Sequence, residues 1–474
     1  MAEEYDLVIL GAGTGGYVAA IRAAQHGMKV AVVEKEKLGG TCLHKGCIPS
    51  KALLRSAEVF QTAKHSEQFG VMTADVSLDF SKVQERKNSI VNQLHLGVQH
   101  LMKKGKIDVF EGIGRILGPS IFSPTPGTIS VERTDGQENT MLIPQYVLIA
   151  TGSSPRSLPG LEPDGKFVLT SDHALELEHL PTSIVIVGGG VIGIEWASML
   201  ADFGVRVTVI EYAQQILPTE DADIAKEALK QLKKKGISFV TNAKVLAETL
   251  QTSENDIVIE AEVEGVTQSF QAEKILLSVG RSPNVKNIGL ENTDIEVENG
   301  TIKVNEFGQT KESHMYAIGD VIGGLQLAHV ASHEGIIAVD HLAGKKPDPI
   351  NYDTVPKCIY SSPEMASVGL TEAEAREKGF NVKVGSFPFK AVGKALVYGN
   401  AEGFAKIIAN ADNDDLLGVH MIGPHVTDLI SEAALAKVLD AAHFEVAEMI
   451  HPHPTLSEVI GEAALAVDGL AIHS

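Results

Sequence analysis

The sequence predicts an α/β fold: two similar domains, each built on a parallel sheet, followed by a C-terminal α+β domain. Three observations predict it. A strand, glycine turn, helix, strand and acid follow one another twice, starting at Tyr5 and again at Ser183. Each copy is followed later by an apolar run ending at glycine, Val147–Gly152 and Ile275–Gly280. From about Asn351 the texture changes to short strands and then helices. The length of 474 residues suits about three domains of roughly 150 residues each.

In the first copy the strand Tyr5–Leu10 leads into Gly11-Ala12-Gly13-Thr14-Gly15-Gly16, a helix to about Gly27, and the strand Val30–Val33 ending at Glu34. In the second, Ser183–Val187 leads into Gly188-Gly189-Gly190-Val191-Ile192-Gly193, a helix to about Phe203, and Val205–Ile210 ending at Glu211. In a Gly-x-Gly-x-x-Gly turn the first glycine permits the tight bend. The second lets a pyrophosphate approach the positive helix end, and the third lets helix and strand pack closely. The acid, 18 residues after the last glycine in both copies, accepts hydrogen bonds from a ribose. One such turn alone is a weak signal. Two, each in its strand–helix context, point to two Rossmann-like dinucleotide-binding domains. A further strand and turn, Met315–Asp320, precedes the C-terminal domain. There Val355–Ile359, Val382–Phe389 and Ala405–Ile408 read as antiparallel strands, and Asp428–Ala441 and Leu456–Val467 as helices.

The formal charge of −21 argues against nucleic acid or an anionic membrane as the main partner. It suits a basic protein partner, or simply solubility. The acidic start Met1-Ala2-Glu3-Glu4 lacks a signal-peptide pattern, and the apolar run Ile184–Ile194 is too short to span a bilayer. A soluble, cytoplasmic protein is expected, and in that compartment disulfides are more often catalytic than structural.

Two of the three cysteines lie in Gly39-Gly40-Thr41-Cys42-Leu43-His44-Lys45-Gly46-Cys47-Ile48-Pro49-Ser50-Lys51. A cysteine pair just beyond a nucleotide-binding turn suggests electrons moving between thiols and a bound cofactor. Five residues of ideal helix rise about 7.5 Å, more than the ~7 Å that disulfide Cα atoms tolerate. The segment must therefore bend, with Gly46 supplying freedom and Pro49 suiting a helix start. Cys47 is expected at that helix N-terminus, where the dipole favours a thiolate, with Lys45 and Lys51 adding positive charge. A metal site and two inert thiols are the alternatives. The first lacks a second ligand pair at zinc spacing, although His451 and His453 could supply ligands. Cys358 reads as packing.

With these motifs in hand, the chain resembles the pyridine nucleotide–disulfide oxidoreductases over essentially its whole length. Among them it is most similar to the dihydrolipoamide dehydrogenases, the flavoproteins of 2-oxoacid dehydrogenase complexes. The segments carrying the resemblance are Gly11–Gly16, Gly39–Lys51, Ala150–Gly152, Gly188–Glu195, Gly280–Pro283, Ala317–Asp320 and His451–Glu458. The resemblance implies an FAD-binding domain over residues 1–150 and an NAD-binding domain over 151–280. Residues 281–350 would complete the FAD domain, and 351–474 would form a dimerisation domain of a homodimer.

It also implies roles for single residues. Gly11, Gly13, Gly16, Glu34, Thr41, Gly114, Thr151, Gly152, Asp320 and Ala328 would hold FAD, with Lys51 beside the flavin and paired with Glu195. Gly188, Gly190, Gly193, Glu211 and Gly280 would hold NAD. A carboxylate at 211 would repel a 2′-phosphate, which favours NAD over NADP. Cys42 and Cys47 would form a redox disulfide, with Cys42 exchanging with substrate and Cys47 facing the flavin. His453, oriented by Glu458, would be the base. That assignment suits the chemistry, since dithiol oxidation needs a proton acceptor titrating near neutrality. No metal is implied. The substrate would be a dihydrolipoyl group on a lipoyl domain, and the docking partner a basic subunit-binding domain of an acyltransferase core.

Two positions depart from the family pattern. His44 stands where Asn is frequent, and is expected to face solvent; perturbation of the thiolate is its alternative role. Pro452 stands where Ala is common, and stiffens the loop. The segments around Thr41–Cys47 and Gly193–Trp196 look most like forms serving a branched-chain 2-oxoacid dehydrogenase. Rival readings are a glutathione- or mercuric-reductase-like enzyme and a non-catalytic structural subunit. The acid at 211 disfavours the first, the ending Ala471-Ile472-His473-Ser474 without a cysteine pair disfavours the second, and the intact redox residues disfavour the third.

Overall fold

The structure, a computed structural model, describes residues 2–119, 126–134 and 136–473. Ser474, the last residue of the C-terminal tetrapeptide, lies outside the described residues. The chain divides into two compact units: Met1–Ala52, Lys82–Arg156 and Gly280–Ile350 form one, and Leu53–Ser81, Ser157–Val279 and Asn351–Ser474 the other.

In the first unit β1 (Ala2–Leu10) is followed by α1 (Thr14–Gln25) and β2 (Val30–Glu34). Next come α2 (Gly40–His44), α3 (Cys47–Lys64) and α4 (Phe80–Lys104), the greater part of α3 belonging to the second unit. Then β3 (Asp108–Ile116), β4 (Ile129–Arg133) and β5 (Thr140–Ile149) complete the run. β1 lies between β2 and β5, parallel to both, with Val8 beside Ala31 and Val147. β3 continues the parallel sheet beyond β2, and Met315–Ala317 adds a parallel strand to the other side of β5. β4 runs antiparallel to both β3 and β5.

The sheet is buried on both faces, which is why its strands are nearly continuous apolar runs. Alternate residues of β1 serve two cores. Val8 and Leu10 pack with Val33, Val147 and Ile149 on one face. Leu7 and Ile9 pack with α1 and the helix Ala328–Leu342 on the other.

The second unit holds a parallel sheet in which Ser183–Val187 lies between Arg206–Ile210 and Lys274–Leu277, all running the same way. A three-stranded antiparallel meander over Ala243–Thr252, Ile257–Val263 and Val266–Ala272 covers it through Ile257, Ile259 and Ala261. No sequence motif marks this meander. A separate core belongs to a five-stranded antiparallel sheet of Lys357–Ile359, Glu364–Gly369, Leu416–Gly423, Phe404–Asn410 and Val382–Pro388 in spatial order. Two of its three inner strands, Glu364–Gly369 and Leu416–Gly423, were also missed. Leu416–Gly423 is buried at every position, so it carries no alternation to read. The helices are Val426–Val438, which starts two residues and ends three residues before the expected bounds, and Glu458–Ala466, which is shorter by two residues at its start and one at its end. Among the described residues no helix is long and apolar enough to cross a membrane.

Candidate active site

The two glycine turns are built alike. Gly11 and Gly188 have φ of 99° and 108°, a left-handed bend at the strand end. A Cβ at Gly16 would lie 2.0 Å from the Gly11 carbonyl oxygen, and one at Gly193 2.0 Å from that of Gly188, so only glycine lets the helix sit this close. At Gly13 and Gly190 the opposite holds: a Cβ would meet no protein atom within 4 Å. Each of these residues is the N-cap of its helix, with no side-chain cap and no acid in the first turn. Open space at an uncapped, positive helix end is a cradle for a pyrophosphate.

The acids are held identically as well. Glu34 accepts hydrogen bonds from Ala12 N–H at 2.7 Å and Glu36 N–H at 2.8 Å. Glu211 accepts from Gly189 N–H at 2.5 Å and Ala213 N–H at 2.7 Å. Both carboxylates are thereby fixed beside their turns and keep lone pairs for a ligand hydroxyl. The residues present thus fit two dinucleotides.

Around the end of β5, Thr151 and Asn284 bond reciprocally, side chain to carbonyl, at 2.8 and 2.9 Å. Gly152 adopts φ 68° and Gly280 φ 100°, and the Gly280 carbonyl accepts from Arg156 N–H. Asp320 follows the strand Met315–Ala317, and its carboxylate accepts from Ser153 Oγ at 2.5 Å. Arg281 donates to that same Ser153 Oγ and to the Ser153 carbonyl, both at 2.7 Å. Neither Ser153 nor Arg281 was assigned a role from sequence, because they meet Asp320 only across long sequence distances. Ala328 begins the helix Ala328–Leu342, whose N-terminus also lacks a side-chain cap. Gly114 sits within β3, where a Cβ would lie 2.6 Å from the Leu10 side chain; sheet packing demands glycine there. Thr41 is exposed on α2, and its carbonyl accepts from Lys45 N–H.

The cysteine segment bends as its spacing requires. Cys42 lies in α2, Lys45 and Gly46 interrupt the helix, and Cys47 opens α3. Gly46 contributes closeness rather than a left-handed backbone: a Cβ there would approach the Thr41 carbonyl oxygen to 3.1 Å. Both cysteines are free thiols, so the structure presents the pair as a dithiol. The hydrogen bond with Cys47, together with burial, pushes the Cys42 thiol well up, and Lys51 only partly offsets this. Two expectations are corrected here. Lys45 does not lend charge to the thiols; its ammonium binds Glu36 at 2.5 Å. His44 does not face solvent; its ring is half-buried, with Nε2 2.9 Å from the Leu38 carbonyl oxygen. Cys42 also lines a cavity of about 550 Å³ whose other walls include Tyr17, Leu43, Leu94, Val98 and Leu101. Tyr17 and α4 carried no sequence motif, so this wall was not foreseen.

In the second unit His453 is exposed, and its Nδ1 lies 2.8 Å from Glu458 Oε1. Glu458 also accepts from Thr455 N–H at 2.9 Å. Burial opposes the Glu458 charge, but these two hydrogen bonds outweigh it and hold the carboxyl below its ordinary range. The Pro452 carbonyl accepts from Thr455 Oγ1, which tightens the turn. His451, two residues away, is differently placed. Its Nε2 meets Glu432 at 2.7 Å and its Nδ1 the Met449 carbonyl oxygen at 3.1 Å. The bond to Glu432 raises its pKa against the opposing effect of burial, and both ring nitrogens are engaged within the protein. Among the described residues no group of three or more His, Cys, Asp or Glu side chains is placed to hold a metal. Glu195 is buried on the helix Val191–Asp202 and accepts from Tyr360 N–H at 2.9 Å, while Lys51 lies one turn into α3.

Residues 5–335 match the pyridine nucleotide-disulphide oxidoreductase family, and 355–464 match that family's dimerisation domain. The chain belongs to the pyridine nucleotide-disulphide oxidoreductases. Members of this family use FAD and NAD, for which the two cradles described above are suited. The chain is 72% identical over 473 residues to a dihydrolipoyl dehydrogenase of Bacillus subtilis, covering all of both chains. It is 42% identical over 478 residues to a dihydrolipoyl dehydrogenase of Zymomonas mobilis, again end to end. Among solved structures, LpdA from Mycobacterium tuberculosis superposes with a TM-score of 0.88 at 27% identity, over 98% of this chain and 99% of that one.

Proposed function

We infer that this protein is a dihydrolipoyl dehydrogenase: it oxidises protein-bound dihydrolipoamide to lipoamide and reduces NAD, as a component of a 2-oxoacid dehydrogenase complex. The observation that carries the reading is the thiol pair Cys42 and Cys47, in mutual hydrogen bond at a bend between two helices and beside an apolar cavity. The apolar wall suits an aliphatic lipoyl arm, and the sulfurs suit its dithiol. We assign residues 1–150 and 281–350 to FAD, 151–280 to NAD and 351–474 to dimerisation.

In the oxidised enzyme Cys42 and Cys47 are joined. His453 takes a proton from one substrate thiol, and Glu458 stabilises the imidazolium that results. The substrate thiolate attacks Cys42 Sγ, the disulfide breaks, and Cys47 leaves as a thiolate. The proton on His453 passes to Cys42 as that sulfur is released, and the second substrate thiol gives its own proton to His453 as its sulfur closes on the first. Cys42 is the sulfur that keeps a proton, because burial and its bond to Cys47 disfavour its anion. The remaining charge rests on Cys47, at the positive end of α3. Bound FAD supplies the electron acceptor for this dithiol and the hydride donor for NAD. Lys51 would set the charge beside it. Glu211 receives the ribose hydroxyls of NAD and excludes a 2′-phosphate.

Because the family's dimerisation domain spans residues 355–464 and so includes His453, we propose that His453 serves the thiol pair of a second subunit in a homodimer. The acidic surface then suits docking on a basic domain of the acyltransferase core, in the cytoplasm. The branched-chain complex is the one whose enzymes its motifs most resemble.

The test is an anaerobic titration of the purified yellow protein with dihydrolipoamide. A long-wavelength band from a thiolate against flavin should appear in wild type and vanish in Cys47→Ser. Wild type that binds FAD but shows no band would overturn the reading. NADH should reduce the enzyme far better than NADPH.

A further inference from the structure

His44 and His95 bring two imidazoles to one backbone carbonyl. His44 is the last residue of α2, and its Nε2 lies 2.9 Å from the Leu38 oxygen; His95, on α4, places Nδ1 3.0 Å from the same atom. The ring centroids are 5.1 Å apart at an interplanar angle of 69°. A carbonyl has two lone pairs and can accept both N–H groups at once.

The position of this carbonyl gives the arrangement its meaning. Leu38 immediately precedes the left-handed Gly39 that starts α2. α2 is only five residues long and its N-cap has no side-chain bond, so it cannot hold itself. The His44 bond spans α2 from end to end, and Cys42 lies inside the span. The His95 bond then ties the same point to α4, whose Leu94, Val98 and Leu101 line the cavity beside Cys42. Burial, then the neighbouring His95 and Lys37, lower the His44 pKa against the opposing effects of the Leu38 carbonyl and of Glu36, whose carboxylate is engaged by Lys45.

We propose that His44 and His95, joined through the Leu38 carbonyl, form a clasp that sets Cys42 against the α4 wall, and so are positioning residues for thiol–disulfide exchange. The proposal rests on the function inferred above. Neither histidine touches the reacting sulfurs in this role.

Four single variants and one double test it: His44→Ala, His95→Ala, the two combined, and the replacements His44→Gln and His95→Asn, which offer an amide N–H near the lost ring N–H. Each alanine variant should lower kcat/KM for dihydrolipoamide by about fivefold to tenfold, mainly through KM, the size expected for one lost hydrogen bond. The amide variants should recover to within about twofold of wild type, and the double alanine variant should lose little more than either single one, because both bonds end on one atom. NADH oxidation by an artificial dye, which bypasses Cys42, should stay unchanged in all of them. Alkylation of Cys42 by iodoacetamide in the reduced protein should quicken several-fold in the alanine variants. Unchanged alkylation overturns the clasp, whether or not wild type oxidises dihydrolipoamide. Parallel loss of the dye reaction, or alanine variants that match wild type, overturns it too. A wild type inactive towards dihydrolipoamide overturns the inferred function instead.

Discussion

His453 and His451 carry the same side chain two positions apart, yet their surroundings give them opposite properties. His453 is 76% exposed, bonds Glu458 through Nδ1 and presents Nε2 outward. His451 is enclosed, with both nitrogens engaged. A base must reach its proton, so only the first is suited to the task. His453→Gln should lower kcat for dihydrolipoamide oxidation by about 10²–10⁴-fold while the NADH–dye reaction stays near wild type. Steady-state assays of both reactions check this. Glu458→Gln should cost less, because it removes orientation and charge but leaves the base. The local motif around His453 and Glu458 was readable, since the pair is five residues apart. Glu432 was not, because it reaches His451 from another helix.

At the scale of elements, the two glycine turns separate packing from binding. Gly193→Ala would drive a methyl against the Gly188 carbonyl, whereas at Gly190 nothing of the protein stands in the way. Gly190→Ala should therefore leave the melting temperature unchanged and raise KM for NADH. Gly193→Ala should lower the melting temperature and weaken NADH binding together. Thermal melts alongside NADH kinetics distinguish the two. These elements were legible because each turn repeats a strand–helix context within about thirty residues. The inner strands Glu364–Gly369 and Leu416–Gly423 were not, since strands buried on both faces lose the period-two signal. The wall formed by α4 was equally hidden: the helix period shows that a helix exists, not which cavity it borders.

For the whole molecule, a site shared between subunits, as proposed above, makes a distinct prediction. A random mixture of His453→Gln and Cys47→Ser chains, dissociated and reassembled, should regain about a quarter of wild-type activity, because half the dimers would carry one intact site in two. If each chain supplied its whole site, mixing would restore nothing. Stability has its own long-range fastener. Asp340, on the helix Ala328–Leu342, receives Arg22 from α1 at 2.7 and 2.8 Å and meets His26 at 2.6 Å. The Arg22 hydrogen bonds first, then His26, bring its carboxyl to about 2 against the opposing effect of burial. A carboxyl depressed below its unfolded value near 3.9 stabilises the fold above that value and loses the contribution as pH falls towards 2. Asp340→Asn should thus cost about 1–2 kcal/mol at neutral pH, and the gap to wild type should narrow between about pH 5 and pH 2. Melting curves across that range measure it.

By itself the sequence determined the two glycine turns, the acids that close them, the bend between Cys42 and Cys47, and the pairing of His453 with Glu458. All of these are governed by neighbours a few residues apart, where backbone geometry leaves few choices. Only the tertiary structure decided what surrounds them: the Leu38 carbonyl that receives two histidines, the α4 wall beside Cys42, the Lys45–Glu36 pair, and the enclosure of His451. Each depends on which segments meet in space, and burial and hydrogen-bond partners are set by that meeting rather than by the order of residues.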